Sequence, residues 1–116
     1  MRSLFLPEAR MMPVGKRPTG EVRMRMLGVG DYIAASGPML ERNGFSEREI
    51  ARRVERYGHI AHVFSTYEAR TEKEPIHLRG INTVQLMHDG QRWWIVSILW
   101  QAETPETPLP KDYLPR

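Results

Sequence analysis

The sequence predicts an α+β fold built on an antiparallel sheet, and three observations carry that expectation. Three consecutive stretches, 58–70, 78–88 and 92–103, read as strands, rich in β-branched and aromatic residues. Asp89-Gly90 stands between two apolar runs, the strongest short-range hairpin signal. One amphipathic helix, 30–42, precedes them, with Tyr32, Ile33, Ser36, Met39 and Leu40 on a single stripe.

The elements follow in chain order. Leu4-Phe5-Leu6-Pro7-Glu8-Ala9-Arg10 reads as an exit from a helix into a strand, because Pro7 cannot continue a helix. Segments 10–13 and 21–27 predict an edge hairpin around Gly15-Lys16-Arg17-Pro18-Thr19-Gly20. Val22, Met24 and Met26 alternate with arginines, which gives that strand one wet side. Asp31 is placed to cap the helix, Pro38 predicts a kink or short first turn, and Asn43-Gly44 ends it. Segment 45–57 is ambiguous. Ser46-Glu47-Arg48-Glu49 matches a capping box, with Ile50, Val54 and Tyr57 at helical spacing, yet the stretch also suits a long charged strand turning at Tyr57-Gly58. The loop Glu72-Lys73-Glu74-Pro75 separates the next two strands. Residues 1–103 are expected to form one domain. Residues 104–116, with four of the nine prolines, predict an extended tail that docks Leu109, Tyr113 and Leu114 on the domain or on a partner subunit.

Side chains alternate faces along a strand. On the last strand one face carries Trp93, Ile95, Ser97, Leu99 and Gln101, and the other carries Trp94, Val96, Ile98, Trp100 and Ala102. Both are largely apolar, so both need cover. One helix covers one face. The favoured cover for the other is a second copy of the chain, a homodimer through the face bearing Trp94, Ile98 and Trp100; the alternative is cover by the chain's own loops.

Composition bounds the function. A chain of 116 residues with 41% hydrophobic content is one globular domain. The absence of cysteine excludes disulfides, thiol nucleophiles and thiolate metal sites, and suits the cytoplasm. No apolar run of about 18 residues occurs, so no membrane span is expected. Of the 17 basic residues 14 are arginine, for a net charge of +3. The densest group, Arg48, Arg52, Arg53 and Arg56, is interleaved with Glu47, Glu49 and Glu55, which argues for a solvated face and against nucleic acid.

Chemistry-bearing motifs are sparse. His59 and His62 face opposite sides of a strand, which excludes a shared metal ion there, and no cofactor motif or Gly-rich phosphate loop is present. Asp31, Asp89 and Asp112 fall at helix or turn positions, and Glu68 and Glu103 at strand ends, so none is nominated as a catalytic base.

Three segments together resemble a known superfamily. Leu4-Phe5-Leu6-Pro7-Glu8-Ala9-Arg10, Tyr57-Gly58-His59-Ile60-Ala61-His62-Val63 and Asp89-Gly90-Gln91-Arg92-Trp93-Trp94-Ile95-Val96 are similar, in order and rough spacing, to signatures of the nuclear-transport-factor-2-like proteins, also called SnoaL-like or ketosteroid-isomerase-like. The resemblance implies a cone-shaped, cystatin-like α+β roll: a strongly bent antiparallel sheet wrapped around few helices, with a pocket in the cone and a dimer across the sheet's back. It implies a strand over 45–57. Because family members usually place one or two helices before the Leu-Phe motif, it also implies a cone whose lid is incomplete. By the family pattern Tyr67, Ser65, Trp93, Ser97 and Gln101 point into the cone, joined by Asn82 in the matching register. These six are the expected contacts to a small apolar ligand. The alternatives are a non-catalytic dimerisation module, and an isomerase or lyase acting on a carbonyl-bearing apolar substrate.

Overall fold

The computed structural model describes residues 4–43, 46–70 and 77–115; the side chains of 37–43 and of His77 lie outside that description. The elements are β1 (Phe5–Lys16), β2 (Val22–Met24), β3 (Leu27–Gly28), α1 (Val29–Asn43), β4 (Ser46–Tyr57), β5 (Ile60–Arg70), β6 (His77–His88), β7 (Trp93–Ala102) and a 3-10 turn at Lys111–Tyr113. The sheet runs β2-β1-β7-β6-β5-β4, with β3 also paired to β1. All neighbours are antiparallel except β1 and β7, which are parallel.

The three-strand centre forms as the sequence predicts. At its hairpin Asp89 accepts the backbone N–H groups of Gln91 (2.8 Å) and Arg92 (3.0 Å) and the indole N–H of Trp94 (2.7 Å). Gly90 takes φ +106°, a conformation that side chains rarely adopt. Leu4 stands in a 3-10 turn, and Phe5 opens a long strand, β1, whose pairing with β7 slips between Phe5 and Arg10 and so tolerates Pro7; the residues in which a preceding helix would lie are outside the described ones.

Segment 46–57 is a strand, and the capping-box reading gives way. Its backbone pairs along the whole of β5, from Ser46 opposite Arg70 to Tyr57 opposite Ile60, with Ile50 bulged. Tertiary pairing outweighs a local preference worth a few tenths of a kcal/mol per residue. Phe45 lies outside the described residues, as does the loop at 72–75.

Directly opposed residues share a sheet face. One face packs against α1: Phe5, Ala9, Met11 and Val29 form the buried cluster, with Tyr32, Ile33, Ile95, Ile98 and Trp100 against it. The Tyr32 and Trp100 rings meet edge to face at 5.4 Å. The other face receives the C-terminal tail. Thr66, fully buried, donates its hydroxyl to the Tyr113 carbonyl (2.6 Å), and the Tyr113 ring lies on Phe64 and under the Arg53 guanidinium.

That arrangement corrects the assignment of faces on β7. Ile95 pairs with Leu86 and Ser97 with Gln85, which leaves Val96 as an extra, bulged residue. The alternation therefore slips by one. Trp93 and Ile95 lie on the α1 face, but beyond the bulge Ile98, Trp100 and Ala102 do so, and Ser97, Leu99 and Gln101 turn to the back. Ile98 and Trp100 are thus core residues under α1, not members of an exposed dimer face.

Candidate functional site

The residues on the α1 side of β4, β5 and β6 converge at one end of the sheet. Tyr67 is 7% exposed and lies across Gly80, its direct partner on β6. A methyl group at Gly80 would fall 2.5 Å from the Tyr67 hydroxyl oxygen. Close approach is therefore why glycine stands at that position. The Tyr67 hydroxyl makes no hydrogen bond with a described residue. Burial, then the neighbouring Glu47 charge, then Tyr32 push its pKa up to about 12. Tyr32, from the first turns of α1, is raised for the same first two reasons, burial ahead of Glu47, against a lowering hydrogen bond with Ser36.

Around these phenols lies a polar fringe. Ser65 donates its hydroxyl to Glu49, and Glu49 also accepts Arg52 Nε at 2.8 Å. Asn82 Nδ2 reaches Glu47 Oε1 at 3.4 Å. Two phenols, two carboxylates, an amide and a hydroxyl share this face of the sheet, with Tyr32 against the Trp100 ring and Asn82 directly opposite Trp100. The set can donate to an acceptor oxygen and accept from a donor, over an aromatic wall.

Of the six residues expected in the cone, Tyr67, Ser65 and Asn82 come together here. Trp93 shares the face but pairs with His88, eight positions along β6 from Gly80, or about 26 Å at the rise of a strand. There it contacts the His88 ring edge to face at 5.0 Å and the Arg56 guanidinium at 5.0 Å. Ser97 faces the back and donates to Gln85 Oε1 at 2.6 Å. Gln101 also faces the back, beside the tail. The bulge at Val96 turns both away.

Sequence reasoning missed Glu47, Glu49 and Tyr32. The two glutamates read in the sequence as part of a mixed-charge, solvated face. On a strand their spacing of two puts them on one face, and that alternation was the available signal. Tyr32 was seen only as part of a core stripe. The histidines play other parts: His59 bonds the His88 carbonyl through Nδ1 (2.7 Å) and His62 meets Glu55 (2.8 Å). Among the described residues no three His, Asp or Glu side chains group as metal ligands. Among the described residues no helix is long and apolar enough to cross a membrane.

No family sequence model matches the chain, and no curated protein matches it in sequence. Solved structures do match in shape. A protein of unknown function with a cystatin-like fold from Nostoc punctiforme superposes with a TM-score of 0.64 at 12% identity, over 93% of this chain and 77% of that one. A nuclear-transport-factor-2-like protein of unknown function from Pseudomonas putida gives 0.64 at 12% identity, over 97% and 79%. A Shewanella frigidimarina protein assigned as a ketosteroid isomerase gives 0.58 at 18% identity, over 85% and 76%. Identities this low establish likeness of fold alone, and the chain has the curled, cystatin-like fold of the nuclear-transport-factor-2-like superfamily.

Proposed function

We propose that the cone binds a small, largely apolar molecule bearing a carbonyl or similar acceptor oxygen, held by the Tyr67 and Tyr32 hydroxyls against the Trp100 ring. The observation that carries this reading is the Tyr67 phenol: nine-tenths buried, protonated far beyond its ordinary range, and without a hydrogen bond to any described residue. The ring is buried while the hydroxyl itself opens into the cone, so a ligand oxygen can reach it and accept its hydrogen bond. Glu47 and Glu49 supply carboxylates beside it, which favours proton transfer next to the bound carbonyl as a second reading. The ketosteroid-isomerase assignment of one structural neighbour agrees with that chemistry.

The test is an NMR titration with 2-acetylnaphthalene. Saturable shifts at Tyr67, Tyr32 and Trp100 are expected, with affinity about fivefold weaker in Tyr67→Phe, the worth of one neutral hydrogen bond of about 1 kcal/mol. Equal affinity in Tyr67→Phe, or no shifts at these residues, would overturn the reading.

The chain is further proposed to act as a homodimer in the cytoplasm. The tail covers one end of the sheet's back. At the other end Tyr57 and Ile60 are 83% and 61% exposed, opposite Met87 and near Trp94. An apolar patch of this kind suits a second copy. Light scattering should give a dimer mass for the wild type and a monomer mass for Ile60→Asp; a monomeric wild type would refute it.

A further inference from the structure

We propose that the cavity beneath the C-terminal tail, on the sheet face away from α1, is a second small-molecule site, and that it takes a neutral, mainly hydrocarbon ligand about the size of a bicyclic aromatic. The cavity measures about 260 Å³. It is a groove about half open to solvent: its floor is Phe64, Ile81 and Leu99 from three adjacent strands, and Pro108 and Leu109 form a partial roof. An apolar space of about 150 Å³ admits benzene. A cavity of this volume therefore has room for two fused rings.

The roof is held from two sides. Leu109 N–H donates to Glu103 Oε2 at 3.1 Å. Further along, the Tyr113 carbonyl accepts the Thr66 hydroxyl at 2.6 Å, and its ring sits 5.7 Å from that of Phe64. Prolines 105, 108 and 110 restrict the segment between the strand and these anchors. A roof fixed before the ligand arrives loses little entropy on binding.

The polar groups of the cavity select the ligand class. The Thr83 hydroxyl is spent on the Leu99 carbonyl at 2.8 Å. Glu103 is engaged by Arg79 Nε at 2.6 Å as well as by Leu109. A cation finds no free counter-charge, and an anion would meet the Glu103 carboxylate. The Gln101 amide makes no hydrogen bond with a described residue, so it can serve one donor or acceptor on the ligand. Because Tyr67 and Tyr32 lie on the opposite face, the site is separate from the one proposed in the cone.

The experiment is a titration of the intact protein with 2-naphthol, followed by the methyl signals of Ile81, Leu99 and Leu109. Saturable shifts at these methyls are expected, with affinity at least tenfold weaker in Leu99→Trp, where the indole fills the void, and within twofold of wild type in Tyr67→Phe. 2-Naphthoate should bind at least tenfold more weakly than 2-naphthol. The methyl shifts are read on the wild type, so they remain decisive if Leu99→Trp fails to fold. Absence of saturable shifts, shifts confined to the Tyr67 side, or equal binding of 2-naphthoate would overturn the proposal.

Discussion

Tyr67 shows how much one side chain depends on its immediate neighbours. Its ring occupies the space that a Cβ at Gly80 would need, and its phenol sits in partly dry surroundings beside a carboxylate. Two outcomes are expected. In the unfolded chain a phenol ionises near pH 10, whereas in the folded protein Tyr67 holds its proton to about 12. Over that window the folded state binds more protons, so stability is intact below pH 10 and falls as pH rises towards 12. Denaturant melts across this range should show the decline, and it should shrink in Tyr67→Phe. Gly80→Ala should cost at least about 2 kcal/mol, because the new methyl meets both the Tyr67 ring and the Gln101 backbone carbonyl. Gly15→Ala, with nothing within 4 Å, is the near-neutral control in the same urea denaturation.

At the level of elements, the Asp89 hairpin is a device with a clear pH dependence. Three N–H donors, with the Trp94 indole first, hold the Asp89 carboxyl near pKa 2, below its usual 3.8. A depressed carboxylate contributes stability above its unfolded pKa, and that contribution is lost as pH falls towards 2. Asp89→Asn should therefore melt below wild type at pH 7, with the gap closing between pH 4 and pH 2. This hairpin was legible in the sequence because Asp-Gly is read locally. So were the three central strands and α1, whose periodicities are local too. Two features were not. The fate of Ser46–Tyr57 is settled by its pairing with β5, and its own residues carry a competing capping signal. The bulge at Val96 has no composition signal, since Val suits a regular strand as well as a bulged one. That single residue decided which half of β7 faces the cone. It sent Ser97 and Gln101 behind the sheet, while Tyr67, Ser65 and Asn82, on the regularly paired β5 and β6, keep the expected face.

For the whole molecule, the question is how a sheet with two apolar faces is covered by so short a chain. α1 covers the side holding Ile98 and Trp100, and the tail covers part of the other. The tail's contribution rests on few contacts, with Thr66 as its buried anchor. Thr66→Val keeps the shape of the side chain but removes the donor to the Tyr113 carbonyl, and should cost about 1 kcal/mol. The same substitution in a chain ending at Asp112 should cost much less, because the acceptor is already gone. Thermal melts of the four proteins close a double-mutant cycle, and a coupling energy near zero would show that the tail does not depend on this bond. A clear coupling would mean that the tail is part of the folded unit. The sheet's back would then be divided by design, its tail-covered end enclosing the cavity over Leu99 and its bare end at Tyr57 and Ile60 left for a second copy.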